Sequence, residues 1–118
     1  MIKVYVRWYL VLLILHFAHV GEEVLGNAPF IQEVYGGMST FLLLMLIGFL
    51  FPLFLLAYSA KHRLAYLLSY GYAGIMILDG VSHLVQRVAG IYTGIGLLIV
   101  GSLLLNALYY ETRSPHTS

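Results

Sequence analysis

Six ionisable residues lie in two short stretches of an otherwise apolar chain: His16, His19, Glu22, Glu23, Asp79 and His83. If both stretches are helical, the 3.6-residue period places the first four on one face of roughly 120°. The same arithmetic places the last two on a common face with Ser82 and Gln86. Imidazoles beside carboxylates suit a divalent ion such as zinc, iron or manganese. Because the chain has no cysteine, the ligands must offer nitrogen and oxygen.

The spacing assigns provisional roles to these side chains. His19, Glu23 and His83 are the first-choice ligands, and His16 shares their face as a further candidate ligand. Glu22 and Asp79 are the candidates for a fourth ligand or for a catalytic base acting on metal-bound water. A structural polar network, a closed Asp79–His83 ion pair, or a proton or ion pathway are the alternatives that the same residues allow.

Composition excludes an ordinary soluble domain. Of the 118 residues, 61% are hydrophobic and 9% are charged, whereas soluble domains are about a quarter charged. Too few charged side chains exist to coat the surface in water, so the surroundings must be mostly lipid. The net charge is only +1, and no extended basic run is present, so the sequence does not indicate a nucleic-acid-binding protein.

Four apolar stretches are each about the length that crosses a membrane, at residues 4–24, 38–60, 64–86 and 91–110. Only helices satisfy their backbone within a lipid-exposed segment, so we predict an all-α polytopic membrane protein. The expected architecture is an antiparallel four-transmembrane-helix bundle forming one membrane domain over residues 1–118. The first stretch is expected to be a retained span rather than a signal peptide.

The positive-inside rule predicts the orientation. The cations expected on one side are Lys3, Arg7, Lys61, Arg63 and Arg113, with Arg87 alone on the other. Both termini, including a short polar tail at 111–118, are therefore expected in the cytoplasm, and the chain in the cytoplasmic membrane. The ionisable cluster then falls near the outer leaflet.

An internal repeat is visible when the chain is shifted by 64 positions, which aligns the pattern H-x-x-[E/Q]-x-V-x-G at His19 and His83. A shift of 53 aligns Thr40 with Thr93. We interpret this as two duplicated helical hairpins, which would make His19 and His83 equivalent positions facing each other.

The longest predicted connection, from Leu25 to Gly37, could cap this region. The spacing of Phe30, Ile31, Val34 and Tyr35 suits a short interfacial helix over the end of the bundle. An ordinary loop anchored by aromatic side chains is the alternative.

The run His19-Val20-Gly21-Glu22-Glu23 at the end of a first membrane helix resembles the signature of the HXXEE-motif family of small four-helix membrane proteins. In that family a later helix carries a polar residue four positions before a second histidine. Asp79 and His83 fill those places here, with Asp79 where asparagine is expected. The resemblance implies a shared site at His19, Glu22, Glu23 and His83, and it implies no reaction.

These observations favour a metal-binding membrane protein. An extension of this hypothesis is a metal-dependent enzyme that acts on a lipid or small apolar substrate near the outer leaflet. The first alternative is an electron-transfer protein with a haem held between His19 and His83, for which Gly21 and Gly80 would leave room. The second is a small accessory subunit of a larger membrane complex. The expected partners are membrane lipid and either further copies of the chain or other membrane subunits.

Overall fold

A computed structural model describes residues 3–86 and 91–113, with side chains as far as Glu111. Within these ranges the chain forms five α-helices and no strand, which confirms the all-α class. The helices are α1 (Val4–Leu25), α2 (Phe30–Glu33), α3 (Met38–Tyr58), α4 (Arg63–Gln86) and α5 (Ile91–Arg113). The four long helices lie within about one turn of the predicted ranges. Arg87, Gly90 and most of the predicted tail lie outside the described residues.

The four long helices are long and apolar enough to cross a membrane. Helix α3 is the most hydrophobic of them and the least covered by the rest of the chain. On this helix Leu43 and Phe54 expose 58% and 62% of their surface, and a soluble monomer rarely exposes continuous apolar surface of this extent. The surface of the fold is therefore suited to lipid.

Helix α5 packs against both α4 and α1. Helix α3 also packs against α4 and α1. Large side chains of α1 and α4 meet between these neighbours. The ring of Tyr9 stacks on that of Tyr72 at 5.7 Å, and the Tyr9 hydroxyl lies 2.9 Å from Ser69 Oγ. Leu97 and Leu104 of α5 complete this fully buried centre.

Contacts at the helix ends show which parts of the chain lie together. Lys3, before α1, forms a 2.7 Å ion pair with Glu111 near the end of α5. At the other end of α1, Glu22 accepts hydrogen bonds from the first residues of α5. The beginning of α1 thus contacts the end of α5, and the end of α1 contacts the beginning of α5. Consequently His19 and Glu23 lie at the same end of the fold as the start of α5.

The closest helix approach is between α4 and α5 at Gly80 and Gly94. A Cβ on Gly80 would lie 2.3 Å from the carbonyl oxygen of Gly94, and a Cβ on Gly94 would lie 3.3 Å from Cβ of His83. Only a residue without a side chain fits between the two backbones. This contact is adjacent to Asp79 and within one turn of His83, so it fixes the distance of both residues from α5.

We expect Gly80→Ala to destabilise the protein, because the added methyl group must push the α5 backbone away. Overpacking of this kind costs about 1–3 kcal/mol. Gly74→Ala is the matched control, since nothing lies within 4 Å of the corresponding Cβ position. Denaturant unfolding in micelles measures both. Equal stability of the two variants would contradict the close α4–α5 packing.

Candidate metal centre

Four of the six predicted residues converge at one end of the helices. His19 and Glu23 come from α1, Asp79 and His83 come from α4, and each offers a ligand atom within 4.8 Å of the others. We call these four residues the His/carboxylate cluster. His19, Glu23 and His83 are buried, and the Asp79 side chain is 32% exposed. The cluster could hold a metal ion.

The atoms of the cluster are spaced like ligands of a single ion. Oε2 of Glu23 lies 2.9 Å from Nε2 of His83 and 3.4 Å from Nε2 of His19. The two oxygens of Asp79 lie 3.3 Å and 3.4 Å from the same two nitrogens. A tetrahedral site with bonds of about 2.0–2.1 Å has ligand atoms about 3.3–3.4 Å apart. Three of these four distances match that spacing, and all of the ligand atoms lie within 4.8 Å of one another, so the cluster could hold one ion.

Helical spacing explains how each helix contributes two ligands. His19 and Glu23 are separated by four residues, as are Asp79 and His83, so the members of each pair lie on one face. Each helix thus supplies one imidazole and one carboxylate from a single turn. The two imidazole rings meet edge to face with their centroids 4.4 Å apart.

One buried nitrogen of the cluster has no hydrogen-bond partner among the described residues. Nε2 of His19 is inaccessible to solvent, and its residue is 1% exposed. It faces one oxygen of each carboxylate at 3.4 Å, which is ion-pair distance if His19 is protonated. Buried polar atoms are normally satisfied, and an unsatisfied one costs about 1–3 kcal/mol. A bound cation would satisfy this nitrogen.

Glu22 lies outside the cluster and contacts α5 instead. Its Oε1 accepts hydrogen bonds from the backbone N–H of Thr93 at 2.8 Å and from the Thr93 hydroxyl at 2.6 Å. Its Oε2 accepts one from the N–H of Tyr92 at 3.3 Å. Oγ1 of Thr93 is also 2.8 Å from Nδ1 of His19. Sequence reasoning missed this role of Thr93, because its alignment with Thr40 gave no reason to place it beside His19.

His16 also lies outside the cluster, one turn deeper along α1. Its Nδ1 is 3.0 Å from the hydroxyl of Tyr72, and its ring lies 5.7 Å from that of Phe49. The residue is buried among these aromatic side chains. His16 is therefore positioned as a hydrogen-bonded core residue beneath the cluster.

The connection between α1 and α3 covers the cluster with aromatic side chains. It contains the short helix α2, where Ile31 is buried and the ring of Phe30 lies 5.9 Å from that of His83. Tyr35 packs edge to face on Phe41 at 5.0 Å. Burial, together with the carboxylates of Glu23 and Asp79, raises the pKa of Tyr35. The segment contains the short helix that one of the two interpretations predicted, and its aromatic side chains also fit the alternative of an anchored loop.

The geometry does not favour a haem between His19 and His83. Their rings are in direct contact, and both Nε2 atoms face the same two carboxylates, which leaves no gap for a porphyrin. Gly80, which we expected to provide space, packs against the backbone of Gly94. The space was predicted from residue size alone, and the neighbouring helix fills it.

Comparisons with protein-family models, with curated proteins and with solved structures gave no match. The resemblance to the HXXEE-motif family stays a prediction.

We expect Tyr72→Phe to lower the free energy of unfolding, because it removes the hydroxyl beside His16 Nδ1 in the buried centre. Leaving a buried polar group without its partner costs about 1–3 kcal/mol. Tyr110→Phe is the control, because Tyr110 is 67% exposed. Both variants are unfolded by denaturant in the same detergent. Unchanged stability of Tyr72→Phe would show that the hydrogen bond contributes nothing.

Proposed function

We propose that this chain is an integral membrane protein that binds one divalent metal ion through His19, Glu23, Asp79 and His83. The observation that carries the proposal is the convergence of two imidazole nitrogens and two carboxylates in a buried site, with His19 Nε2 lacking a hydrogen bond in the described structure. Charged groups within a span are costly, by about 2.5–3.5 kcal/mol each on insertion scales. A shared cation offsets that cost for both carboxylates.

The donor set indicates the class of metal. Two imidazoles and two carboxylates are borderline to hard ligands, which suits zinc, iron(II) or manganese(II) and disfavours copper(I). Four ligands complete a tetrahedral zinc site, whereas iron and manganese accept further ligands. Asp79 is the most exposed member of the cluster, so water or substrate gains access to the ion most directly from its side.

The charge distribution and the helix contacts support a proposed orientation in the membrane. Lys3, Lys61 and Arg63 line one cavity, at the end of the fold where Lys3 pairs with Glu111. The His/carboxylate cluster lies at the opposite end of α1. We propose an antiparallel bundle of two related hairpins with both termini cytoplasmic and the cluster near the outer leaflet.

A lipid or small apolar molecule is the proposed substrate class, if the ion acts in catalysis. An apolar cavity of about 440 Å³ opens between α1 and α3, lined among others by Phe17, Val20, Val24 and Met45. Val20 and Val24 interleave with His19 and Glu23 on α1, so the cavity and the cluster are at the same depth. An acyl chain in this cavity would bring its polar end to the level of the ion. Asp79 is then the base best placed to act on an ion-bound water.

The metal proposal predicts one bound divalent ion per purified chain. His19→Ala and His83→Ala each remove one nitrogen ligand and should abolish stoichiometric binding. His62→Ala is the matched control, since His62 lies in the exposed α3–α4 connection, where its ring contacts Tyr58. Elemental analysis and isothermal titration with zinc and manganese measure the binding. Cobalt(II) substitution adds an absorption spectrum that reports the coordination geometry.

Binding should also stabilise the fold, because the ion joins α1 to α4. A ligand at 100 times its dissociation constant stabilises the native state by about 2.7 kcal/mol, and a chelator should reverse that gain. The absence of metal from folded wild-type protein, with no binding on titration, would overturn the proposed function.

The two carboxylates should contribute unequally to affinity. Glu23 is 5% exposed, so water cannot easily replace its oxygen in Glu23→Leu. Asp79 is partly exposed, and in Asp79→Ala a water molecule can take the vacated position. We expect the Glu23 variant to lose clearly more affinity than the Asp79 variant in zinc titrations. The reverse order would show that Asp79 is the principal oxygen ligand.

A further inference from the structure

We propose that Thr93, held by Glu22, is a positioning residue that fixes the tautomer of His19 so that its Nε2 lone pair faces the metal site. This inference rests on the proposed metal-binding function. It gives a role to Glu22, which the sequence marked as ionisable and which the cluster does not use. A chain of hydrogen bonds runs from the start of α5 through Glu22 and Thr93 to His19.

Glu22 is held in place by three donors from α5. It accepts hydrogen bonds from the backbone N–H groups of Tyr92 and Thr93 and from the Thr93 hydroxyl. Both N–H groups belong to the first turn of α5, where backbone donors lack partners within the helix. The positive end of the helix dipole also favours a carboxylate there. Glu22 of α1 thus caps α5 and orients the Thr93 side chain.

The Thr93 hydroxyl has a single hydrogen, which is already engaged in a hydrogen bond to Glu22. It is donated to Oε1 of Glu22 at 2.6 Å, because a carboxylate only accepts. Oγ1 of Thr93 can therefore only accept from His19 Nδ1, which lies 2.8 Å away. The neutral imidazole must then carry its proton on Nδ1. Its Nε2 is left with a lone pair.

That lone pair points to where a ligand is needed. Nε2 of His19 lies 3.4 Å from an oxygen of Glu23 and 3.4 Å from an oxygen of Asp79. A lone pair facing two carboxylates is unfavourable in the absence of a cation, and it is favourable when a cation lies between them. The opposite tautomer would donate a proton from Nε2 to either carboxylate and close the site without metal. Thr93 disfavours that tautomer, because its hydroxyl oxygen accepts a hydrogen bond from a protonated Nδ1.

The test replaces Thr93 with valine, which has the same shape and no hydroxyl. In metal-free wild-type protein, ¹⁵N NMR of labelled histidine should show His19 protonated at Nδ1, with the signal assigned by its loss in His19→Ala. In Thr93→Val the proton should move to Nε2. Zinc affinity should fall by about 10–100-fold, the usual effect of losing a group that orients a metal-binding histidine. Thr93→Ser should restore both the tautomer and the affinity.

Ser102→Ala is the matched control, since Ser102 lies on the same helix and its exposed hydroxyl bonds only to the carbonyl of Leu98 in the described structure. It should change neither measurement. An Nε2-protonated His19 in metal-free wild type would overturn the inference without any variant. So would a Thr93→Val protein with unchanged zinc affinity. If wild type binds no metal but its His19 shifts tautomer in Thr93→Val, the positioning role stands and the metal-binding function falls.

Discussion

The structure depends on the burial of two carboxylates against two imidazoles. Glu23 and Asp79 each approach both His19 and His83, in surroundings where like charges repel strongly. No lysine or arginine side chain in the described ranges forms an ion pair with them, and Lys3, Lys61 and Arg63 line a cavity at the other end of α1. Within the described part of the chain, a proton on an imidazole or a bound metal ion could supply the positive charge that offsets the two carboxylates. If His19 is neutral, the proposed Thr93 contact leaves its Nε2 without a proton, and that arrangement suits a metal ion.

Helix α5 supplies none of the four cluster residues, yet it positions both helices that do. Gly94 admits the backbone of α4 at Gly80, next to Asp79, and Thr93 contacts His19 of α1 directly. Thr93 therefore positions the pair of cluster residues on α1, and Gly94 positions the pair on α4. The remaining length of α5 buries Leu97 and Leu104 against both helices. A displacement of α5 would consequently change the separation of the two ligand pairs.

The cluster could be predicted from the sequence because helical spacing and depth were both readable. Residues four apart share a face, and His19 and His83 lie at similar distances from the starts of their helices, so their convergence followed. The same arithmetic could not separate Glu22 from Glu23, which are adjacent in the chain. Their roles differ because α5 lies against Glu22 and α4 against Glu23. The rotation of helices about their own axes is decided by packing, such as the Gly80–Gly94 contact, and no apolar periodicity reveals it. For that reason Thr93 was missed, and His16 was grouped with ligands one turn above it.

The closure of the site bears on what a bound ion would do. Four candidate ligands beside the rings of Phe30 and Tyr35 would retain a bound ion. Such an ion would also link α1 to α4, which meet mainly through long side chains. Chemistry requires a coordination position that water or substrate can enter. The buried Glu23 and both imidazoles cannot provide it without unfolding the centre, whereas Asp79 can swing toward the surface from its partly exposed position. Under the proposed function, a structural and a catalytic role of the ion would therefore differ in the position of a single carboxylate, that of Asp79.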